Sequence, residues 1–217
     1  MYVGRIVAVG RNQDGRLAAM YRVSSRSFPN RQAVLNDGAA AIVPRPGHES
    51  DIMRNPYIAY NCLRLVGSIA VATNGSQTDP IAEKLVSGMT IRDALVTVLQ
   101  ALDYEHDSYN TPRIAAIVDR ETDEAYLGIV RHDALLVKRL ELAPGSACYV
   151  CTYEHNEPSE RYADAAFDAR TAGAACDHML GGGAFAQLER PITAVCALAD
   201  DRGGFEVAAK DAPMTRG

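Results

Sequence analysis

Helical patterns in this sequence never alternate one by one with strand patterns, and this order constrains the fold more than any other feature. Roughly nine to eleven short segments read as strands, whereas helical patterns are confined to 79–102 and 162–180. Parallel strands need a long crossover between them, usually a helix, so the sheets are expected to be antiparallel. Two sheets faced by helices would bury every apolar face, and the sequence therefore predicts an α+β fold.

The most regular predicted helix follows Thr90, which resembles a capping box with Asp93. Six apolar residues then recur at offsets 0, 3, 4, 7, 8 and 11, which is the spacing of one helical face: Ile91, Ala94, Leu95, Val98, Leu99 and Leu102. This spacing predicts a helix that runs from Ile91 to the polar segment 103–107.

Two further helices are predicted with less regular patterns. Asp79 reads as the N-cap and Pro80 as the first residue of a helix that continues to Val86. The Ala-rich segment 162–180 reads as helical until three consecutive glycines, 181–183, end it.

The strands begin with a predicted hairpin of 2–10 and 17–23 around an Asp-Gly turn. Segment 57–71 fits two strands or one bent strand. The other predicted strands are 39–43, 113–118, 125–131, 134–142, 147–153, 192–198 and 205–209. Neither a repeat nor a linker interrupts the pattern, so residues 1–217 are expected to form a single domain.

Composition excludes several classes of protein. The 217 residues are 47% hydrophobic, which argues against a disordered chain, and 22 Lys and Arg against 27 Asp and Glu give a net charge of −5. This mild acidity argues against nucleic acid as a partner, although a local basic cluster can still hold a small anion. No apolar run is long enough for a membrane span and the start lacks a signal-peptide pattern, so a cytoplasmic protein is expected.

The five cysteines are odd in number and irregularly spaced, which favours reduced thiols. Cys148 and Cys151 match the C-x-x-C spacing, but in a strand they would face opposite sides, so metal or redox use is not expected. The histidines show no ligand spacing.

Three polar clusters are candidates for a functional site. In segment 21–31, Arg22, Ser24 and Arg26 would share a strand face, and guanidinium and hydroxyl groups suit a phosphate or carboxylate. The alternative is a solvated edge strand. In segment 55–64, Tyr60 would share a face with Cys62 and Arg64, and a tyrosine near a cation can act as an acid, although strand tyrosines are most often core residues.

The third cluster is segment 103–107, where a carboxylate could act as a general base or hold a substrate hydroxyl. Acidic residues at a helix C-terminus oppose the helix dipole. This local conflict points to a function, but a solvated tail explains the acidic residues equally well.

Long blocks of the first half resemble the archaeal-type IMP cyclohydrolases, which close the purine ring in the last step of inosine monophosphate synthesis. The matching blocks are 2–12 (YVGRIVAVGRN), 21–31 (YRVSSRSFPNR), 55–62 (NPYIAYNC), 74–76 (NGS), 103–105 (DYE) and 111–115 (TPRIA). The second half matches only in outline.

The resemblance implies a fold like that of the N-terminal nucleophile hydrolases, with four layers in the order α, β, β, α. Those hydrolases use Cys, Ser or Thr as residue one, whereas Tyr2 follows the initiator Met here. Tyrosine cannot supply that nucleophile, so the fold would serve a different reaction.

That reaction is cyclisation of 5-formamidoimidazole-4-carboxamide ribonucleotide, and it requires neither a metal nor another cofactor. The resemblance implies Arg22, Tyr60 and Glu105 as catalytic residues. The residues expected to bind the purine ribonucleotide are Ser24, Ser25, Arg26, Arg31, Asn61, Asn74, Gly75, Tyr104 and Arg113. The alternatives are a non-catalytic purine-nucleotide-binding protein and an amidohydrolase on the same fold. The sequence leaves both a monomer and a homo-oligomer open.

Overall fold

The structure, a computed structural model, describes residues 1–213. In this range thirteen strands form two antiparallel sheets. The six-stranded sheet consists of Ile6–Arg11 (β1), Leu17–Ser24 (β2), Ser146–Cys151 (β10), Ala163–Asp164 (β11), Pro191–Ala199 (β12) and Phe205–Asp211 (β13), in the spatial order β11-β10-β1-β2-β12-β13. The seven-stranded sheet follows chain order and consists of Arg31–Asn36 (β3), Ala39–Pro44 (β4), Tyr60–Val66 (β5), Ile69–Thr73 (β6), Arg113–Asp119 (β7), Glu124–Arg131 (β8) and Ala134–Arg139 (β9).

The helices in residues 1–213 are Asp51–Arg54 (α1), Thr78–Val86 (α2), Ile91–Leu102 (α3) and Ala172–Gly181 (α4), with short 3₁₀ turns at Pro56–Ile58 and Gly183–Phe185. Three of them, α2, α3 and α4, cover the outer faces of the two sheets. Helices α2 and α3 pack on the seven-stranded sheet, and α4 packs on the six-stranded sheet. Each helix in residues 1–213 is too short or too polar to cross a membrane.

Three apolar clusters hold these layers together. The largest lies between the two sheets, and the other two lie between a sheet and its helices. Burial of apolar side chains on both faces of each sheet explains why many strands read as continuous apolar runs. The predicted α+β class with two antiparallel sheets is confirmed.

The predicted cap of α3 and the predicted opposite faces of Cys148 and Cys151 are also confirmed. Thr90 caps α3 by accepting a hydrogen bond from the Asp93 amide at 3.2 Å. Cys148 lies in the cluster between the sheets, whereas Cys151 lies in the outer cluster under α4. All five cysteines are buried and unpaired.

The predicted start of α2 is wrong. The helix begins at Thr78, and its N-cap position is Gln77. The Asp79 carboxylate instead accepts hydrogen bonds from Asn61 at 2.9 Å and from Arg64 at 2.7 Å. Side chains of the neighbouring strand therefore compete successfully for this carboxylate.

The prediction of one helix over 162–180 is wrong in its first half. Tyr162 accepts from the Tyr149 amide, and β11 extends the sheet at its edge. Asp164 then accepts from the Ala166 amide in a tight turn, and the helix begins only after Thr171, which caps it. Tertiary pairing therefore overrides the helical propensity of the alanines.

Two predictions about strands are also corrected. The N-terminal strand begins at Ile6 rather than Tyr2, and β3 lies in a region that the sequence pattern left without a strand. Strand β3 is an edge strand with an exposed second half, so it lacks the apolar pattern that marks the buried strands.

The predicted faces of β5 are correct for Tyr60, Asn61 and Cys62 but wrong for Leu63 and Arg64, because a β-bulge follows Asn61. The pairing of β4 with β5 shifts at Cys62, so Asn61 and Leu63 oppose consecutive residues of β4. Cys62 and Leu63 are both in the core between the sheets, whereas Asn61 and Arg64 both contact Asp79. A bulge inserts one residue and reverses the alternation of faces that the prediction assumed.

Candidate active site between the two sheets

Polar side chains from both sheets meet at one edge of the interface between them. Tyr21 projects from β2 into the core between the sheets, and Arg5 lies just before β1. Tyr60, Arg31 and Arg113 are the first residues of β5, β3 and β7. Because strand ends converge at this edge, residues far apart in sequence lie close together.

Two tyrosines form the centre of this site. The Tyr21 and Tyr60 hydroxyls are 2.5 Å apart, so one donates a hydrogen bond to the other. Tyr21 is fully buried and Tyr60 is half-buried. Such a pair can hold a proton at a defined point and pass it to a bound ligand.

Glu105 is buried between two arginines. Its Oε2 accepts a hydrogen bond from Arg5 Nη2 at 3.2 Å, and its Oε1 lies 4.0 Å from Arg113 Nη1. The Glu105 backbone pairs with Thr111 in an isolated bridge, which fixes the loop after α3 against β7. The buried arginines explain why the sequence tolerates a carboxylate next to the helix C-terminus.

Two polar atoms in the site are buried without a hydrogen-bond partner among the described residues. They are Arg5 Nε, a donor, and Glu105 Oε1, an acceptor. An unpaired buried polar atom costs about 1–3 kcal/mol. Native proteins keep such atoms mainly where a ligand or water completes them.

Gly75 borders the carboxylate. A Cβ at this position would lie 2.7 Å from Gln77 Oε1, 3.0 Å from Arg113 Nη1 and 3.5 Å from Glu105 Oε1. The Gly75 backbone does not have a positive φ, so glycine is needed here for space rather than for conformation. The glycine keeps the approach to Glu105 open.

Burial and charge shift the pKa values of these groups in a consistent way. Burial raises the pKa of Glu105, and the Arg5 and Arg113 guanidiniums partly oppose this rise. Burial also raises the pKa of Tyr60, against the opposing effect of Arg31 and Arg5. The site thus holds a carboxyl that is a stronger base than usual and phenols that keep their protons at neutral pH.

Arg31 is the predicted phosphate-binding residue that points toward this site. It is 2% exposed, and its Nε donates to the Phe28 carbonyl at 3.1 Å. Its charge lowers the pKa values of both Tyr21 and Tyr60. A guanidinium held in this way can accept an anion beside the tyrosine pair.

Arg22 does not lie with Tyr60 and Glu105. It faces the opposite side of the six-stranded sheet, where it is fully buried under α4. Its guanidinium donates to Ser24 Oγ and to four backbone carbonyls, those of Met179, Phe185, Leu188 and Glu189. Burial lowers the pKa of Arg22 to about 10. Arg22 therefore joins the sheet to the helical layer.

Two predicted asparagines also lie away from the tyrosine pair. Asn61 donates to Asp79 on α2. Asn74 is fully buried and bonded at both ends of its amide, to the Pro112 carbonyl and to the Ile114 amide. Both amides are committed to contacts between elements.

Other predicted residues lie on the rim. Arg26 pairs with Glu189 at 3.2 Å and stacks on the Tyr2 ring at 4.3 Å. Ser25 accepts from the Phe28 amide and, with Arg26, lines a cavity of about 680 Å³. The Tyr104 ring is 4.5 Å from that of His106.

Arg5 and Tyr21 are site residues that sequence reasoning missed. Arg5 is a single charge in an otherwise apolar segment, and this signal was available. Tyr21 alternates with Ala19 and Val23 on the inner face of β2, but only the tertiary structure shows what that face meets. In the described part of the chain, we find no group of three or more His, Cys, Asp or Glu side chains placed to hold a metal ion.

The fold and site define a class of protein: an α+β protein in which buried carboxyl, guanidinium and phenol groups meet where two antiparallel sheets face each other. Comparison with known proteins identifies the family. The model of the IMP cyclohydrolase-like protein family matches residues 2–203. This chain belongs to that family.

Named relatives cover nearly the whole chain. An IMP cyclohydrolase of Methanosphaera stadtmanae is 45% identical over 201 residues, which are 93% of this chain and 96% of that protein. An IMP cyclohydrolase of Methanocaldococcus jannaschii is 41% identical over 211 residues, 97% of this chain and 99% of that protein. The resemblance predicted from the first half therefore extends through the second half.

Proposed function

We propose that this protein is an IMP cyclohydrolase, which converts 5-formamidoimidazole-4-carboxamide ribonucleotide to inosine 5′-monophosphate and water. The observation that carries the proposal is the near full-length similarity to proteins of that name. The site adds chemical support. A carboxamide offers an acceptor oxygen and a donor nitrogen, which complement the donor of Arg5 and the acceptor of Glu105 that have no partner among the described residues.

In the reaction, the carboxamide nitrogen attacks the formyl carbon, a C–N bond forms, and the formyl oxygen becomes a hydroxyl. The C–O bond then breaks and that oxygen leaves as water. The carboxamide nitrogen and the formamido nitrogen each lose one proton, which together account for the hydrogens of the water. Because the two reacting groups are tethered, the protein has to orient them and move protons.

We assign the proton transfers to Glu105 and Tyr60. Glu105 accepts the proton of the carboxamide nitrogen and passes it to the formyl oxygen, which becomes the hydroxyl; the raised pKa of Glu105 makes it a better base. Tyr60 donates a proton to the departing hydroxyl. Arg5, which is hydrogen-bonded to Glu105, stabilises the carboxamide oxygen as it gains negative charge.

The remaining predicted residues are assigned more peripheral roles. Arg31 binds the substrate phosphate, with Ser25 and Arg26 on the rim. Arg113 and Gly75 shape the space beside Glu105. Arg22 supports the reaction from the opposite face of the sheet by holding β2 in place.

We also propose a fold family, a single domain and a cellular location for the protein. The order α, β, β, α supports a relationship to the N-terminal nucleophile hydrolases. Since the six-stranded sheet combines β1 and β2 with β10 to β13, residues 1–217 form one domain in this proposal. Five unpaired thiols support a cytoplasmic location.

The test is to incubate the purified protein with the formamido ribonucleotide in the presence of a chelator and to follow inosine monophosphate by chromatography. Tyr60→Phe is expected to lower kcat about 10²–10⁴-fold because it removes a general acid. It should leave the dissociation constant of inosine monophosphate nearly unchanged.

The matched control is Tyr126→Phe, on the outer side of β8 facing α3, which should turn over at the wild-type rate. Nucleotide binding without turnover by the wild-type protein would overturn the proposed function and favour a binding protein.

A further inference from the structure

Tyr21 is a buried group to which the ring closure, as assigned above, gives no role. It is fully buried in the core between the sheets. Among the described residues its hydroxyl has one hydrogen-bond partner, the Tyr60 hydroxyl at 2.5 Å. A phenylalanine would fill the same space without a polar group, and a buried hydroxyl without a partner is costly. A tyrosine at this position is therefore best explained by its hydrogen bond. This points to a role for the pair as a unit.

The geometry allows either hydroxyl to donate, and burial favours one direction. Tyr21 is fully buried and has no other acceptor among the described residues, so its proton is satisfied only when it donates to the Tyr60 oxygen. The proton of Tyr60 is then free for another acceptor. Tyr60 is half-buried, whereas Tyr21 is closed off, so only Tyr60 can reach a bound ligand.

We propose that Tyr21 is a positioning residue for the ring closure, whose hydroxyl directs the Tyr60 proton toward the departing hydroxyl and then stabilises the Tyr60 phenolate. This inference rests on the proposed function. Tyr60 gives its proton to the leaving oxygen as the C–O bond breaks, and water forms. The proton lost by the formamido nitrogen restores Tyr60, and Tyr21 keeps its own proton throughout.

The surrounding charges favour this division of roles. The groups that act on the pair are Arg5 before β1, Arg31 on β3 and the Cys62 thiol on β5. Burial raises the pKa of Tyr21 well above its ordinary value, and Tyr60 adds to that rise. For Tyr60 the hydrogen bond from Tyr21 lowers the pKa and so offsets part of the effect of burial.

The test is Tyr21→Phe, which removes one hydroxyl and keeps the ring. We expect kcat to fall about 10- to 100-fold, as for loss of a hydrogen bond to a charged group. The dissociation constant of inosine monophosphate should change less than about twofold, since Tyr21 does not touch the ligand. The alkaline limb of the kcat–pH profile should move to higher pH, because the Tyr60 phenolate loses its donor.

The control is Tyr149→Phe, which also removes a buried hydroxyl. Tyr149 is 5% exposed and bonds His155 at 3.2 Å in the outer cluster under α4. It should leave kcat and the pH profile unchanged. An unchanged kcat and alkaline limb in Tyr21→Phe, with an active wild-type enzyme, would refute the role of Tyr21 and leave the proposed function intact. An inactive wild-type protein would refute both.

A second substitution covers the case in which Tyr21→Phe does not fold. Placing 3-fluorotyrosine at position 21 keeps the shape and makes the hydroxyl a stronger donor. The alkaline limb should then move to lower pH, opposite to the effect of removing the hydroxyl. A limb that stays in place in this protein would also refute the role of Tyr21.

Discussion

Tyr21 and Arg22 are adjacent in β2, yet their side chains lie on opposite faces of the six-stranded sheet. Tyr21 reaches Tyr60 across the interface between the sheets. Arg22 reaches four backbone carbonyls under α4. One strand thus contributes to the proposed active site and to the structural support of the molecule.

This arrangement predicts that Arg22→Ala acts mainly on stability. The substitution removes a donor from four carbonyls, of which the Phe185 carbonyl keeps a second donor in the Leu188 amide. Each of the other three is left unpaired at a cost of about 1–3 kcal/mol, so we expect a loss of at least about 3 kcal/mol. Denaturant unfolding measures this loss. Arg26→Ala removes an exposed arginine nearby and should change the free energy of unfolding by less than about 0.5 kcal/mol. A fully stable but inactive Arg22→Ala protein would instead place Arg22 in the chemistry.

If Glu105 is the general base, its ionisation sets the acid limb of the plot of kcat against pH. As a base it must be ionised, and burial raises its pKa above the ordinary glutamate value of about 4.3. Activity should therefore be lost, as the pH falls, at a higher pH than an ordinary carboxyl would give. This is measured as the acid limb of kcat against pH. In Glu105→Gln the limb should disappear together with most of the rate, whereas the exposed Glu206→Gln should keep both. An acid limb that persists in Glu105→Gln would assign the base to another group.

A side chain at position 75 is expected to obstruct the space beside Glu105. In Gly75→Ala the new methyl group would crowd Gln77, Arg113 and Glu105. We expect a lower kcat/KM with little change in the Tm, because the backbone conformation suits alanine. Gly181→Ala is the matched control, since a Cβ at Gly181 meets no atom within 4 Å. Equal kcat/KM values for the two variants would show that the space beside Gly75 is not used.

The thiols provide a test of the core. All five cysteines are buried, and burial raises the pKa of the Cys62 and Cys151 thiols. Only the thiolate reacts readily, so a thiol reagent such as dithionitrobenzoate should modify the native protein slowly. In denaturant all five thiols should react rapidly. Rapid modification of the native protein would show that the apolar cluster between the sheets or the one under α4 opens to solvent.

Sequence patterns predicted the parts of the fold that local physics decides. The spacing of apolar residues after Thr90 predicted α3, because one face of a helix repeats every 3.6 residues. The Asp-Gly turn predicted the first hairpin, which pairs as expected. Local signals failed where distant contacts compete with them, as at Asp79 and in the segment before Thr171.

The candidate site was predicted in part for the same reason. Tyr60, Glu105, Arg31 and Gly75 lie together in the structure, and each belongs to a polar cluster or matching block of the sequence. Asn61 alternates with Tyr60 along β5 and therefore faces α2, whereas the bulge after it, which has no signature in a single strand, turns Arg64 to the same side. Arg22 was expected beside Tyr60, but neighbouring positions of a strand face opposite sides, and the sequence does not say which side is the reactive one.

The sequence by itself determined the class of the fold, the main helix, the reduced state expected of the cysteines and the family to which the chain belongs. These follow from the spacing and identity of residues along the chain. Only the tertiary structure decided that Arg5 binds Glu105 and that Tyr21 contacts Tyr60, across separations of 100 and 39 residues. Such contacts depend on how two sheets are aligned face to face, and that alignment is set by the packing of the whole core rather than by any local pattern.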